Sequence, residues 1–491
     1  MNLQELAEHD KNNLISRALD FSKLAHAGEI RIDGSPYFEH AIQTAEILNQ
    51  WNLDEESIAS GLLHDTIKHG KATEMEIKEK FGEGVAFLVQ GVTKLGLVKY
   101  RGPDTKDIKI ENLRKLILAL NGDLRTVFIK LANRLHNMRT IKALPEERRK
   151  NISKETEEVY APLASLLGMQ SLSGELYDLS FPHTYEKEYP WLLQVIKDQY
   201  EDRENYLRAI EPIAKECLQK QNLNPIFIDF RAKRISSLYR KLLTHDMDIE
   251  KIYDLVAMRI IMEDTKDCYE ALGAIHTLWS PLPGRIKDYI ASPKPNSYRS
   301  LHTTVTGPEG KIIEIQIKTK TMHEEAENGI ASHWLYKEKN EKKDQSPKPR
   351  LKKIIENVNL IKHLRRWQEK NNPEISHQEF LASMKFDFFK DRIFTLTPRG
   401  DVFDLPLGST PIDFAYKVHS EIGNTCVKSK INGEFKPLNF ELKSGDVVEI
   451  ITQKNKKPSL DWLSFVKTTE AKNRIRGILR DKNIRLEKRF D

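Results

Sequence analysis

Cysteine is scarce in this sequence, and its scarcity excludes two kinds of site. The three cysteines, Cys217, Cys268 and Cys426, stand far apart and form no CxxC pair. They offer neither a disulfide framework nor a cysteine zinc site, so a reducing compartment is predicted. No stretch approaches the roughly 18 apolar residues of a membrane span, and the polar N-terminus has no apolar signal-peptide core. We therefore expect a cytoplasmic protein.

A large excess of charge of one sign is also missing. The sequence has 78 Lys and Arg against 72 Asp and Glu, a net charge of +6. This small excess permits a nucleic-acid partner without indicating one, so a phosphate-binding surface must come from a local cluster of cations. At about 150 residues per domain, the 491 residues predict roughly three domains.

The spacing of apolar residues divides the chain into regions of different structure. Residues 1 to about 180 are predicted to be helical, and one helix places Leu124, Val127, Leu131 and Met138 on a single buried face. From about residue 224 strands are mixed with helices. After Ile393, two short strands around a Gly-Asp turn, a helix and the strand in SGDVVEIIT outline a small β-grasp module. The predicted fold class is α+β with several domains.

Two predicted strands of the middle region carry acidic residues. KIIEIQIKTK alternates, with isoleucines on one side and Glu314, Gln316 and Lys318 on a wet face. YDLVAMRIIM reads as a more apolar strand with Asp254 near its start. Carboxylates on two strands offer the hard oxygen ligands that a divalent metal prefers.

Two cation-rich segments accompany these strands. RAKRISSLYRK is predicted to place its cations within three helical turns, and RIKDYIASPKPNSYRSLHTT adds further cations among turn-forming residues. Cations of this kind balance the phosphate charge that builds during transfer. The residues alone favour a metal-dependent nucleotide site, although a solvated face remains the alternative for any single cation. Tyr298 either stacks on a nucleobase or is a half-buried loop tyrosine.

The segments YDLVAMRI, CYEALGAIHTLW, KDYIASPKPNSYRSLHTTV, EIQIKT and MHEEAENGIASHWLYKE closely resemble the synthetase domain of RelA/SpoT homologues. The resemblance implies transfer of pyrophosphate from ATP to the 3′-hydroxyl of GDP or GTP in the stringent response. It implies that Asp254 and Glu314 hold Mg²⁺ and that Glu314 accepts the proton of that hydroxyl. It makes Tyr298 the platform under guanine, with Asn296 and Gln316 nearby. The implied phosphate-binding residues are Arg231, Lys233, Lys241, Lys287, Lys294 and His302.

This region departs from the family pattern at one position and carries one form of a variable family motif. The family's EIQIRT is EIQIKT here, so Lys318 replaces an arginine and loses its bidentate fork, which predicts a weaker contact. The segment from Arg285 to Asp288 has the basic form of a variable motif and resembles bifunctional members rather than synthetase-only ones.

AHAGEIRIDGSPYFEH, GLLHDTIKHG and KLANRLHNMRT resemble the HD-type hydrolase domain of the same family. That domain removes pyrophosphate from the alarmone with Mn²⁺ held by two histidines and two aspartates. The resemblance makes His40, His64 and Asp65 three of the ligands, and it matches Arg31 and Asn137 to nucleotide-contacting positions.

Three positions depart from this HD-type pattern. Asn133 stands where the family has the fourth ligand, an aspartate, and Lys68 and His69 replace a Glu-Asp pair. An amide brings no negative charge to a cation, and the missing carboxylates would orient the attacking water. We therefore expect a degenerate hydrolase domain that acts as a scaffold or regulator, with Lys68 turned outward. Mn²⁺ binding without turnover and no Mn²⁺ binding at all both stay open.

VFDLPLGSTPIDFAYKVHSEIG resembles the TGS domain of long family members. This resemblance implies contact with the ribosome and deacylated tRNA through His419, although an exposed histidine on a β-grasp helix is otherwise ordinary. The predicted domains are an HD-type domain (1–190), a synthetase domain (191–340), a helical linker (341–391), a TGS domain (392–455) and a helical segment (456–491).

Three hypotheses cover these features. The first is a Mg²⁺-dependent synthetase that uses ATP and GDP or GTP and carries an inactive hydrolase domain. The second is a bifunctional enzyme that keeps a Mn²⁺-dependent hydrolase. The third is a non-catalytic ribosome- or tRNA-binding regulator, against which the acid pair Asp254 and Glu314 argues.

Overall fold

The computed structural model describes residues 13–96, 123–243, 246–249, 252, 255–294, 298–329 and 392–487. The chain divides into two compact units, Met1–Leu364 and Arg365–Asp491. Asp254, Asn296 and the linker predicted at 341–391 lie outside the described residues. No described helix combines the length and the hydropathy needed to cross a membrane.

The first unit begins with helices, as the apolar spacing predicted. Helix α6 illustrates why: its predicted apolar face is fully buried, with Leu124, Val127, Leu131 and Met138 all at 0% exposure, and the Asp123 side chain accepts a hydrogen bond from a backbone N–H of the first turn. The helices of this region are α1 (Leu14–Ala25), α2 (Tyr37–Gln50), α3 (Glu55–Leu63), α4 (Glu74–Phe81), α5 (Glu83–Gly96), α6 (Leu124–Arg139) and α7 (Glu146–Glu155), followed by a π-helical turn at Thr156–Tyr160.

Three more helices connect this region to a mixed sheet. They are α8 (Ala161–Leu166), α9 (Gln170–Thr184) and α10 (Glu188–Lys220). The long helix α10 buries Leu207, Ile210, Ala214 and Leu218 against the sheet. Burying this apolar stripe is the main force that attaches the helix to the sheet.

Six described strands form the sheet of the first unit, in the order β1-β2-β6-β5-β3, with β4 paired to β5. Strands β2 and β6 are parallel, and the other pairs are antiparallel. Helix α12 covers the sheet with buried Ala271, Ala274 and Ile275. The elements are β1 (Phe227–Ala232), α11 (Ile235–Leu242), β2 (Val256–Met262), α12 (Thr265–Leu278), β3 (Ser280–Pro281), β4 (Lys287–Asp288), β5 (Leu301–Thr306), β6 (Ile312–Thr319) and α13 (Lys320–Asn328).

Two expectations about this sheet were wrong in part. Lys318 was placed on the wet face of β6, but it is 0% exposed, because the last three residues of β6 are all buried. The segment RAKRISSLYRK was expected to be helical throughout. Arg231 instead lies in strand β1, and the helix begins only at Ile235.

The second unit contains the small strands predicted for the β-grasp module. Strands β7 (Arg392–Leu396) and β8 (Val402–Pro406) form a hairpin, and the other strands form the sheet β10-β9-β11. A single parallel bridge joins Leu396 to Val447. The remaining elements are α14 (Pro411–Val418), α15 (Ser420–Thr425), β9 (Cys426–Ile431), β10 (Glu434–Lys436), β11 (Val448–Thr452), α16 (Trp462–Phe465) and α17 (Thr469–Glu487).

One buried carboxylate fixes the start of helix α14. Asp413 is 1% exposed and accepts hydrogen bonds from the backbone N–H and hydroxyl of Thr410, at 2.9 and 2.7 Å. It also accepts from the N–H groups of Lys467 (3.0 Å) and Thr468 (2.7 Å). These bonds compensate for the cost of burying a charge. Asp413 therefore joins the helix of the β-grasp module to the segment that precedes α17.

Candidate functional site

Glu314 lies at the centre of the sheet, between β2 and β5. Its Oε1 is 3.4 Å from Nδ1 of His302 and accepts a hydrogen bond from Nε2 of Gln316 at 3.2 Å. Burial lowers the pKa of His302, and the neighbouring carboxylate of Glu314 opposes this shift. Nε2 of His302 lies 2.9 Å from the hydroxyl of Tyr298. Strand register thus brings together four of the predicted site residues in one connected group.

The loop before β5 adds cations to this group. Lys287 pairs with His302 across β4 and β5, and the backbone N–H of Lys294 donates to the carbonyl of Tyr298 at 3.1 Å. Nζ of Lys294 lies 4.8 Å from the ring centre of Tyr289 and 5.6 Å from that of Tyr298. Burial raises the pKa of Tyr298 to about 12, so its hydroxyl stays protonated. An aromatic ring flanked by amines suits a base bound next to phosphates.

A second group of cations also lies near Tyr298. Nζ of Lys318 is 5.9 Å from the Tyr298 ring centre. This buried amine has no hydrogen-bond partner among the described residues. Burial lowers its pKa to about 8, with Arg259 and Arg231 adding repulsion and Glu327 opposing them. A buried amine of this kind gains strongly from an anion placed beside it.

Three charged residues outside the predicted site organise this second group. Arg259 forms an ion pair with Asp229, which lies directly opposite it across β1 and β2. Arg259 and Arg231 also approach Oε1 of Glu327, at 3.6 and 3.9 Å. One signal was available, since Arg259 is a lone cation within the apolar run VAMRIIM.

Lys233 lies just before helix α11, and Lys241 lies near the end of that helix. The N–H of Lys233 donates to the carbonyl of Leu255 at 2.7 Å, and Lys241 lies in the last turn of the helix. Asp178 of α9 anchors the start of α11, because its Oδ1 accepts from the N–H (3.1 Å) and hydroxyl (2.7 Å) of Ser236. Packing against the helical region therefore sets the position of this basic helix.

A separate cluster in the helical region contains the predicted HD-type ligands. His40, His64 and Asp65 are buried, and their ligand atoms lie within 4.8 Å of one another. Oδ2 of Asp65 is 3.1 Å from Nε2 of His64 and 3.9 Å from Nε2 of His40. Burial raises the pKa of Asp65, but His64, Lys68 and the Tyr37 hydroxyl outweigh it and hold that pKa well below its usual range.

The three residues that differ from the HD-type family pattern each make specific contacts in the structure. Nδ2 of Asn133 contacts Nε2 of His64, and Oδ1 of Asn133 accepts from Asn137 at 2.7 Å. Lys68 does not turn outward as expected: its Nζ lies 3.1 Å from Oδ1 of Asp65. The physical reason is that a buried carboxylate attracts a cation three residues further along. His69 approaches a different carboxylate, that of Glu29, at 3.5 Å.

Arg31 joins the group through α6. Its guanidinium donates to Oδ1 of Asn137 at 3.3 Å and to the hydroxyl of Thr140 at 3.2 Å, and it lies 3.4 Å from Nδ1 of His136. Burial, together with the charge of Arg31, lowers the pKa of His136 to about 4. The two predicted nucleotide-contacting residues, Arg31 and Asn137, are therefore in direct contact.

The donor atoms decide which ions each site accepts. His40, His64 and Asp65 provide two nitrogens and one oxygen at suitable separations, which fits a divalent transition metal. Asn133 adds an amide in place of a charge, so the site is less negative than the family pattern. In the sheet, Glu314 provides an oxygen that suits Mg²⁺.

Three family models match the chain. The HD domain model covers residues 18–170, the region found in RelA/SpoT proteins covers 230–341, and the TGS domain model covers 392–452. A solved structure, that of small alarmone synthetase 2 from Bacillus subtilis, aligns with 35% of this chain and 94% of its own at 27% identity, with a TM-score of 0.25.

Curated relatives match nearly the whole chain. The GTP pyrophosphokinase of Myxococcus xanthus is 42% identical over 96% of this chain and 62% of its own length. The guanosine-3′,5′-bis(diphosphate) 3′-pyrophosphohydrolase of Aquifex aeolicus is 44% identical over 97% of this chain and 66% of its own. The chain thus spans about two thirds of the length of these relatives. It belongs to the RelA/SpoT family, with an HD domain, a RelA/SpoT synthetase region and a TGS domain.

Proposed function

We propose that this chain is a (p)ppGpp synthetase that transfers pyrophosphate from ATP to the 3′-hydroxyl of GDP or GTP. One observation carries the proposal: Glu314 contacts His302 and Gln316 on the strand face where Tyr298 and the surrounding cations converge. The name of the Myxococcus xanthus relative, GTP pyrophosphokinase, supports the same reaction. The cytoplasm is the proposed location of this reaction.

The residues of the sheet divide the work of the reaction. Glu314 accepts the proton of the 3′-hydroxyl as that oxygen bonds to the β-phosphorus of ATP, and AMP leaves. Tyr298 stacks on guanine, and Asn296 and Gln316 contribute to binding of the guanine nucleotide. The residues that bind the phosphates are Arg231, Lys233, Lys241, Lys287, Lys294 and His302. Asp254 and Glu314 would hold Mg²⁺, which would neutralise charge on the phosphates.

Replacing Glu314 tests the proposed base. We expect Glu314→Gln to lower alarmone formation by at least about 100-fold, because the amide keeps the shape but accepts no proton. The products formed from labelled ATP with GDP or GTP are separated by thin-layer chromatography. Glu309→Gln is the matched control, since Glu309 is exposed and pairs only with Lys311 among the described contacts. Appreciable synthesis by Glu314→Gln would refute the assignment.

The lowered pKa of Lys318 predicts a pH dependence of nucleotide binding. The free amine loses its proton above about pH 8, whereas a bound polyphosphate favours the charged form, so affinity for MgATP must fall as pH rises. We expect a loss of about tenfold between pH 7 and pH 9, measured by calorimetry. Lys318→Arg keeps its charge throughout and should remove most of this fall. Parallel pH profiles for the two proteins would contradict the role of Lys318.

The HD domain supports a second candidate function, hydrolysis of the alarmone. The convergence of His40, His64 and Asp65, together with the name of the Aquifex aeolicus relative, favours it. Against it, Lys68 pairs with Asp65 and His69 turns to Glu29, so neither provides a carboxylate to orient water. We infer a domain that does not hydrolyse (p)ppGpp.

Incubation with ppGpp and Mn²⁺ tests this inference. We expect no release of pyrophosphate above the background of a His64→Ala variant, because the acid pair is replaced. The measurement is quantification of pyrophosphate and of GDP. Release that depends on His64 would instead establish the bifunctional reading.

The TGS domain leads to a proposal about partners. His419 is exposed at the junction of α14 and α15, where its Nδ1 accepts from the N–H of Glu421 at 3.3 Å. We propose that it contacts deacylated tRNA on the ribosome. His419→Asn retains a side chain able to cap α15 but loses the imidazole, so synthesis stimulated by ribosomes and deacylated tRNA should fall while basal synthesis stays unchanged. Equal stimulation of the two proteins would remove this role.

A further inference from the structure

A second group of metal-ligating side chains lies in the HD domain, outside the cluster already described. His26, Glu29 and His69 place their ligand atoms within 4.8 Å of one another. Oε2 of Glu29 is 2.7 Å from Nδ1 of His26 and 3.5 Å from Nδ1 of His69. Two imidazole nitrogens therefore converge on one oxygen of a single carboxylate.

Backbone hydrogen bonds fix the three residues in this arrangement. His26 ends α1, and its N–H donates to the carbonyl of Ser22 at 3.0 Å. The N–H of Glu29 donates to the carbonyl of His26 at 3.1 Å. The N–H of His69 donates to the carbonyl of Asp65, also at 3.0 Å. Ligands held on ordered turns lose little freedom when they bind an ion.

The second oxygen of the carboxylate has its own partner. Nζ of Lys71 lies 2.9 Å from Oε1 of Glu29, so Oε2 alone faces the histidines. A hydrogen bond to the free oxygen of a ligating carboxylate is the usual outer-shell support at metal sites.

Exposure and distances are compatible with an ion. The side chains of Glu29 and His69 are 26% and 24% exposed, whereas that of His26 is 1% exposed, so solvent reaches the site from one side. Ligand atoms of a tetrahedral zinc ion lie about 3.3 Å apart, given bonds of about 2.0 Å. The 3.5 Å pair matches this value, and the 2.7 Å pair needs only a small movement of the partly exposed Glu29.

We propose that His26, Glu29 and His69 form a divalent transition-metal site distinct from the cluster of His40, His64 and Asp65. Two nitrogens and one oxygen favour Zn²⁺ or Co²⁺ over Mg²⁺ and Ca²⁺, which prefer oxygen ligands. Three protein ligands leave a fourth position open to water. His69, one of the residues that replace the family's acid pair, thereby acquires a function of its own.

Tyr37 separates the two clusters and contacts both. Its ring centre lies 4.9 Å from that of His26 and 4.7 Å from that of His69, and its hydroxyl donates to Oδ2 of Asp65 at 2.6 Å. Each cluster also has its own lysine, Lys68 at Asp65 and Lys71 at Glu29. The two sites are therefore distinct in ligands and in charge balance.

Metal counting on the whole chain tests the proposal without reference to synthesis or hydrolysis. The protein is stripped with chelator, then titrated with Co²⁺ and followed by visible absorption, and the Zn²⁺ content is measured by mass spectrometry after dialysis. Glu29→Gln and His69→Gln alter partly exposed side chains. Each is expected to bind one ion fewer per chain than the wild type and to lose the corresponding part of the Co²⁺ spectrum.

Two further variants give the comparison its controls. Glu39→Gln removes the same charge from an exposed position of α2 and should leave the metal count unchanged. His64→Ala removes a ligand of the other cluster and should leave the Co²⁺ spectrum of the His26 site in place. The proposal is overturned if Glu29→Gln and His69→Gln bind as many ions as the wild type, or if the wild type binds none.

Discussion

The central sheet holds several cations near Tyr298, and the acids beside these cations stabilise the arrangement. Arg259 is paired with Asp229 and approaches Glu327, which also lies near Arg231. Lys318 is buried beside them, and repulsion from Arg259 and Arg231 adds to burial in lowering its pKa. Cations already oriented by neighbouring acids do not need to reorganise when phosphate charge builds during transfer. Strand pairing in the sheet therefore also sets which charged residues lie next to one another in the proposed site.

Much of this arrangement could be predicted from local pattern. The alternation in β6 predicted the buried isoleucines and the polar face of Glu314 and Gln316 because a strand has a period of two. Lys318 was misplaced because the alternation of exposed and buried residues stops at the end of β6, where the last three residues are all buried, and α13 packs against this strand. The pairing of Arg259 with Asp229 depends on strand register, which brings together residues about 30 positions apart. The lone cation in VAMRIIM could be noticed in its own segment, but its partner Asp229 could not.

In the HD domain, too, the motif residues could be identified from sequence, whereas a side-chain contact was predicted less well. Motif resemblance identified His40, His64 and Asp65, whose ligand atoms converge as expected. Lys68 was predicted to turn outward because a dication at this cluster would repel its amine. In the structure its Nζ instead lies 3.1 Å from Oδ1 of the buried Asp65, which attracts it. Local charge therefore has to be counted for both partners of a contact.

Charge also distinguishes the two histidine clusters of the HD domain. Asn133, Lys68 and His69 each make the surroundings of Asp65 less negative than the family pattern, which weakens the attraction for a dication at that cluster. In the other cluster, Oε2 of Glu29 faces the imidazoles of His26 and His69. Lys71 contacts only the other oxygen, Oε1. His69 contributes to both effects. It replaces an acid of the family pattern near Asp65, and its imidazole faces Glu29 in the other cluster. Of the three substitutions that argue against hydrolysis, His69 thus also supplies a ligand of the proposed second metal site.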